Sequence, residues 1–153
     1  MAYLTDTNVL LRVVEPLHPM HPQAAGAVEA LTIHGETLCL LPQNLIEFWN
    51  VCTRPADKNG LGFSLQETNA HVAHFESAFT LLPDTPAIYQ EWRRLVVQHS
   101  VSGVQVHDAR IVAAMNAHGI SHLLTFNVRD FTRYQGITVV APPDVKTLPG
   151  LTP

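Results

Sequence analysis

The stretch Tyr3-Leu4-Thr5-Asp6-Thr7-Asn8-Val9-Leu10-Leu11 decides how this chain is read. An apolar run leads in from the N-terminus, one carboxylate stands where it ends, and an apolar run headed by Asn8 follows. That order predicts a short buried strand, an acid at its C-terminal tip, and a helix over Asn8 to Val14 capped by Asn. In open α/β sheets, ligands bind outside the carboxyl ends of the strands. Asp6 therefore falls where chemistry is done and not where a core is packed.

Working outward, the same alternation repeats. Helical apolar spacing runs from Pro22 to Ile33 and stops before Gly35. Thr37-Leu38-Cys39-Leu40-Leu41 is an unbroken apolar run of strand length, as expected for a strand buried on both faces. Pro42 suits a first helical position, where its missing N–H has no partner, and that helix runs to about Thr53. Ala56 to Phe63 reads as a loop. Ser64, with Glu67 three residues on, opens another helix as a capping box. Phe79 to Leu82 reads as a third strand, Pro86 to Gln98 as a helix, and His107 to His118 as the clearest helix, with Gly119 as its stop. Ser121 to Thr125 and Gly136 to Val140 complete the strands, and Pro142-Pro143 ends the regular structure. Strands alternating with helices predict a parallel α/β sandwich, with one domain over residues 1–142 and a tail over 143–153.

Bulk properties bound the function. At 153 residues the chain suits a single core. With 46% hydrophobic and 14% charged residues it is not a disordered segment. The net charge of −4 gives no basic footprint for a simple nucleic-acid-binding module. A nuclease stays open, because bound cations offset an acidic site. Cys39 and Cys52 sit in apolar surroundings and read as buried reduced thiols. No signal peptide or membrane span is evident, so a soluble cytoplasmic protein is expected. His18 with His21, and His71 with His74, lack a third ligand at metal spacing and read as loop and helix-face residues.

The acids carry the chemical reading. Asp6 is at the first strand tip, Glu47 lies on the apolar segment Leu45-Ile46-Glu47-Phe48-Trp49, Asp108 is in the first turn of a helix, and Asp130 follows the fourth strand, three residues after Asn127. Singly, Asp108 is explained by the helix dipole, and Asp130 by a loop. Glu47 and Asp6 are harder to place without partners, since a buried unpaired carboxylate is costly. Gathered at the strand ends, the four would repel one another unless cations held them together. Hard oxygen ligands without Cys or His point to Mg²⁺ or Mn²⁺, the usual equipment for phosphoryl chemistry. No Ser-His-Asp spacing, P-loop or GxGxxG competes. A phosphatase with an Asp nucleophile is the other enzyme reading, although Asp6-Thr7-Asn8 lacks a second Asp two positions on.

Four segments resemble one family. Leu4-Thr5-Asp6-Thr7-Asn8-Val9-Leu10, Pro42-Gln43-Asn44-Leu45-Ile46-Glu47-Phe48, His107-Asp108-Ala109-Arg110-Ile111-Val112-Ala113 and Leu124-Thr125-Phe126-Asn127-Val128-Arg129-Asp130-Phe131 look like the acidic segments of PIN-domain ribonucleases of the VapC toxin type. The resemblance implies a Rossmann-like three-layer sandwich with about five parallel strands in the order 3-2-1-4-5. It implies a Mg²⁺-dependent endoribonuclease that leaves 5′-phosphate and 3′-hydroxyl ends, a homodimer, and a cognate antitoxin. By the match, Asp6 and Asp108 are metal ligands, Glu47 is a ligand or orients water, and either Asn127 or Asp130 is the fourth corner, around one ion or two. Thr5, Thr7, Asn8 and Thr125 would support the site, with plain helix capping as the alternative for Thr7 and Asn8. Arg12, Arg110 and Arg129 are candidates for phosphate contacts or for ion pairs, and Trp49 for base stacking or for the core. The helices from Pro22 to Ile33 and from Pro42 to Thr53 are where an antitoxin would be sought. A catalytically silent PIN-like module that only binds a partner is the reading from another class.

Overall fold

The computed structural model describes residues 1–151; Thr152 and Pro153, at the end of the expected tail, lie outside the described residues. Five strands form one sheet: β1 (Ala2–Thr5), β2 (Thr37–Leu40), β3 (Thr80–Leu81), β4 (His122–Leu124) and β5 (Thr138–Val140). Their order is β3-β2-β1-β4-β5 and every pairing is parallel, as the sequence predicts. Six α-helices connect them: α1 (Thr7–Val13), α2 (His21–Ile33), α3 (Pro42–Thr53), α4 (Leu65–Ala78), α5 (Pro86–Gln98) and α6 (Gln105–His118).

The apolar runs explain the layers. Successive strand side chains point to opposite faces. Tyr3, Leu38, Leu40 and Leu124 therefore join Val9, Leu10, Ala24, Leu31, Phe48 and Phe75 on one face. Leu4, Cys39, Leu41 and Leu123 join Ile88, Leu95, Ile111 and Met115 on the other. Helices α1 to α4 cover the first face and α5 and α6 the second, which makes a three-layer sandwich. Cys39 and Cys52 are buried free thiols, and burial pushes Cys52 up to about 12. No described helix is long and apolar enough to cross a membrane.

Some boundaries differ from the sequence reading, each for a physical reason. Asp6, not Asn8, caps α1: its carboxylate accepts the Thr7 N–H at 2.8 Å, and Asn8 is inside the helix. The third strand shrinks to the exposed pair Thr80–Leu81, because Phe79 turns back onto Phe75 at the end of α4, ring centroids 5.7 Å apart. Ser64 accepts the Glu67 N–H at 3.0 Å, so the predicted cap is in place. Gly119 ends α6 in the left-handed region, φ 69°, which glycine adopts without steric cost. Regular structure does not stop at Pro142-Pro143. A 3-10 segment over Pro142–Thr147 starts there and lies against α2, with Val145 and Leu151 buried in the first-face core. Proline at the start of a helical turn sacrifices no hydrogen bond, so the pair reads as a start as readily as an end.

Candidate active site

The strand order reverses at β1 and β4, so a crevice opens at their carboxyl ends. Thr5 pairs with Leu124, and the Asp6 N–H donates to the Leu124 carbonyl at 2.9 Å. Asp6 and Thr125 are thereby placed side by side. Asp6 is 6% exposed and accepts from three residues. The Thr7 N–H reaches Oδ1 at 2.8 Å, and Oδ2 takes the Thr125 hydroxyl at 2.7 Å and the Asn8 amide at 3.2 Å. Thr125 Oγ1 accepts in turn from Asn8 Nδ2 at 3.1 Å and from the Asn127 N–H at 3.0 Å. Asn8 Oδ1 receives the Phe126 N–H at 3.1 Å. The loop after β4 is thus tied to the start of α1 through polar side chains.

Glu47 comes from α3, which follows β2. It is half-buried: on either side of it Ile46 faces solvent, 68% exposed, and Phe48 faces the core. The Thr7 hydroxyl donates to Glu47 Oε2 at 3.0 Å and Gln43 Nε2 donates to Oε1 at 3.0 Å. Thr7 therefore holds two acids, one through its backbone and one through its side chain. Asp108 is half-buried in the first turn of α6. Asp130 is exposed on the 3-10 turn Val128–Phe131, beside the exposed Asn127.

These acids feel one another. Burial pushes Asp6 up to about 6 against the pull of the Thr125 and Thr7 hydrogen bonds, with Glu47 and Asp130 adding repulsion. Burial also takes Asp108 to about 6, reinforced by Asp6, Asp130 and Glu47 and eased by His107. Among the described residues none of the four acids forms an ion pair with a basic side chain. As the side chains stand, no three His, Cys, Asp or Glu among the described residues are grouped to hold one ion. By donor type and uncompensated charge the set nevertheless fits a hard divalent cation, which takes oxygen ligands.

The other candidates are sorted by the same contacts. Thr7, Asn8 and Thr125 bond to the acids, so the supporting role exceeds simple capping. Thr5 is buried but its hydroxyl has no hydrogen-bond partner among the described residues, and it supports nothing in the crevice. Arg12 pairs with Glu15 at 2.6 Å, and is engaged away from the acids. Arg110 bonds Gln43 at 3.1 Å and Asp84 at 3.0 Å, while Arg129 is exposed beside Asp130. Trp49 lines an apolar groove between α3 and α4, not the crevice. His71 stacks near Phe63 and Phe48, as a packing residue. Gln43 and Asp84 escaped the sequence reading. The signal for Gln43 was its place one helical turn before Glu47, on the same face.

Two consequences are measurable without any ligand. Thr125→Val removes the hydroxyl from a fully buried position and strands the Asn127 N–H. A buried polar group left without its partner costs about 1–3 kcal/mol, so urea unfolding is expected to show a loss of that order. No loss would mean the network carries no stability. The raised carboxyls set the pH trend. A folded pKa above the unfolded one means that the folded protein holds protons the unfolded chain has released, so stability falls as pH rises from about 4 to about 6. Asp108→Asn, which cannot ionise, is therefore expected to raise Tm at pH 7 by a few degrees and by about half as much at pH 5. An equal Tm difference at both values would contradict the raised Asp108 carboxyl.

Comparison with solved structures finds the same fold at low identity. VapBC-1 from nontypeable Haemophilus influenzae matches with a TM-score of 0.70 at 12% identity, covering 93% of this chain and 98% of that one. VapBC2 from Rickettsia felis, bound to a promoter DNA fragment, gives 0.68 at 16%, covering 92% and 98%. VapC20 from Mycobacterium tuberculosis, described as a sarcin-ricin loop cleaving toxin, gives 0.65 at 16%, covering 86% and 94%. A sequence comparison with curated proteins gives no significant match. The model of the PIN domain family matches residues 3–137, the span from the start of β1 to the entry of β5 that contains every acid of the crevice, and the chain belongs to that family.

Proposed function

We propose that this PIN domain is a Mg²⁺- or Mn²⁺-dependent endoribonuclease, the toxin of a type II toxin–antitoxin pair. The observation that carries the reading is that the carboxyls of Asp6 and Asp108 are raised by burial and by repulsion from Glu47 and Asp130, with no basic ion-pair partner for any of the four among the described residues. Asp6, Asp108 and Glu47 would hold the ion, with Asp130 or Asn127 completing the set after side-chain rotation. Such an ion supplies charge for the phosphate and makes a water nucleophilic near neutral pH. The chain's own residues do the rest. Thr7, Asn8 and Thr125 fix the Asp6 carboxylate, and Thr7 and Gln43 fix that of Glu47. Fixing ligands in advance lowers the reorganisation needed during reaction.

RNA as substrate is supported by the family and by one structural neighbour, the sarcin-ricin loop cleaving toxin VapC20. An antitoxin partner is supported by neighbours solved as toxin–antitoxin complexes. The apolar groove between α3 and α4, lined by Leu45, Ile46, Trp49, Val72 and Leu81, is a surface such a partner would cover, and α3 is one of the two helices the sequence nominated. The resemblance adds a second copy of the chain. The phosphatase reading loses ground, because both oxygens of Asp6 are engaged by donors and the side chain is buried, which suits a ligand better than an attacking nucleophile.

Purified protein is expected to cut single-stranded RNA with Mg²⁺ or Mn²⁺, to stop in EDTA, and to resume when the ion is restored in excess. Cutting at full rate in EDTA overturns the metal-dependent reading. Calorimetry that detects no binding of Mn²⁺ favours the silent partner-binding module instead. The toxin role predicts a short reading frame upstream, encoding a DNA-binding protein that suppresses the activity.

A further inference from the structure

A second cavity, of about 490 Å³, opens beside the acids, and Glu47 forms part of its wall. It lies between α3 and α6, with Gln43, Ile46, Asp84, His107 and Arg110 around it. Four of its polar side chains, Glu47, Gln43, Arg110 and Asp84, are linked in a fixed order. Gln43 spends both amide hydrogens, one on Glu47 Oε1 at 3.0 Å and one on the His107 carbonyl at 2.9 Å. Its oxygen then faces Arg110, which donates to it at 3.1 Å. The other arm of Arg110 donates to Asp84 Oδ1 at 3.0 Å.

The charges decide what fits. Arg110 is paired with Asp84 and Glu47 faces the proposed ion, so the cavity wall carries no unpaired positive charge and does not favour a phosphate. A neutral ring with N–H donors is favoured instead. A guanidinium has five N–H groups and a carboxylate about four acceptor sites, so both keep capacity after pairing. Their side chains stay accessible, 35% and 50% exposed. Together they present acceptors next to donors. Guanine alone among the four RNA bases carries two adjacent donors, N1–H and the N2 amino group, flanked by the O6 acceptor. Adenine, cytosine and uracil each offer a carboxylate one donor on that edge. Ile46, 68% exposed, supplies an apolar flank for a ring face. Proteins read unpaired RNA bases in this way, by edge hydrogen bonds and stacking on splayed bases.

We propose that this cavity is a base-specific subsite seating an unpaired guanine of the RNA substrate next to the cut bond, with Asp84 accepting from its N1–H and N2 amino group and Arg110 donating to O6. The proposal deepens the ribonuclease reading and rests on it for the placing of the cut. Asp84 and Arg110 set specificity and take no part in the chemistry.

The test uses fluorescence anisotropy with the full chain carrying Asp6→Asn, so that bound RNA is not cut. The probes are short oligouridines with one central guanine, inosine or adenine. Inosine lacks only the N2 amino group. A good base contact discriminates by about 1–3 kcal/mol, so guanine is expected to bind roughly tenfold tighter than inosine or adenine. Asp84→Asn in the same background is expected to erase that ratio. Arg110→Lys, which keeps the charge but loses the planar fork, is expected to reduce the preference over adenine and to weaken guanine and inosine alike, since both carry O6. The ratio within one variant is its own control for folding. Equal affinity for all three probes, or a ratio untouched by Asp84→Asn, overturns the subsite. Binding is read without cutting, so guanine preference in a protein whose native form never cuts RNA would keep the subsite and reject the nuclease. Metal-dependent cutting with no guanine preference would do the reverse.

Discussion

Asp6→Asn is expected to slow RNA cutting at least about a hundredfold, with the RNA still bound. The floor follows from what surrounds the residue. Changing a partner that merely orients a metal ligand costs about 10–100-fold in metal affinity or activity, and Asp6 is proposed as the ligand. Asparagine keeps the size but loses the charge. It also replaces one acceptor oxygen by a donor, where the Thr7 N–H, the Thr125 hydroxyl and the Asn8 amide all donate. One of these must turn away, so the loss is geometric as well as electrostatic. Single-turnover cutting at saturating RNA, repeated over a range of Mn²⁺ concentrations, separates a weakened site from slowed chemistry. Native-rate cutting by the variant would remove Asp6 from the mechanism and with it the proposed metal centre.

The largest effect on stability is expected from Phe48→Ala. Phe48 is fully buried and meets Phe75 edge-on, ring centroids 5.3 Å apart at 89°. Its edge also faces His71, with ring centroids 6.5 Å apart. Truncating a buried phenylalanine loses both its transfer energy and its contacts around the cavity left behind, about 3–5 kcal/mol. For a chain of this size that corresponds to a fall in Tm of roughly 6–20 °C. Phe48 follows Glu47 on α3, so the same cavity loosens the helix that aims an acid into the crevice. Thermal unfolding that moves by less than about 2 °C would show that α3 and α4 collapse to fill the space, the alternative to a persistent void.

Much of this architecture was legible because a parallel sheet covered on both faces leaves an unmistakable trace. Leu38 to Leu41 is apolar without alternation, and such a run has few homes outside a covered sheet. Asp6 and Glu47 were legible for the opposite reason, since each interrupts or follows an apolar run, whereas Asp108 and Asp130 stood out only by their places at a helix start and after a strand and by the family resemblance. Where the reading strayed, a tertiary contact overrode a local preference. Phe79 looked like strand but turns onto Phe75. Asn8 looked like a cap but is drawn into α1 to hold Asp6 and Phe126. Gln43 and Asp84 left little trace, because their roles appear only when α3 and α6, more than sixty residues apart, stand face to face. Thr5 erred the other way: its neighbour Asp6 stands in the crevice, but its own hydroxyl bonds nothing there.

The double grip of Thr7 has a mechanical side. Two acids delivered by different elements of the chain would ordinarily drift with every shift of α3 against the sheet. Here one residue, with its amide on Asp6 and its hydroxyl on Glu47, acts as a ruler between them. The gap is calibrated by the bond lengths of a single threonine, which do not stretch, in place of the slack between packed helices, which does. Helices that bring no acid to the crevice, such as α2 and α4, are therefore free to be resculpted for new partners while the gauge at the crevice keeps its setting.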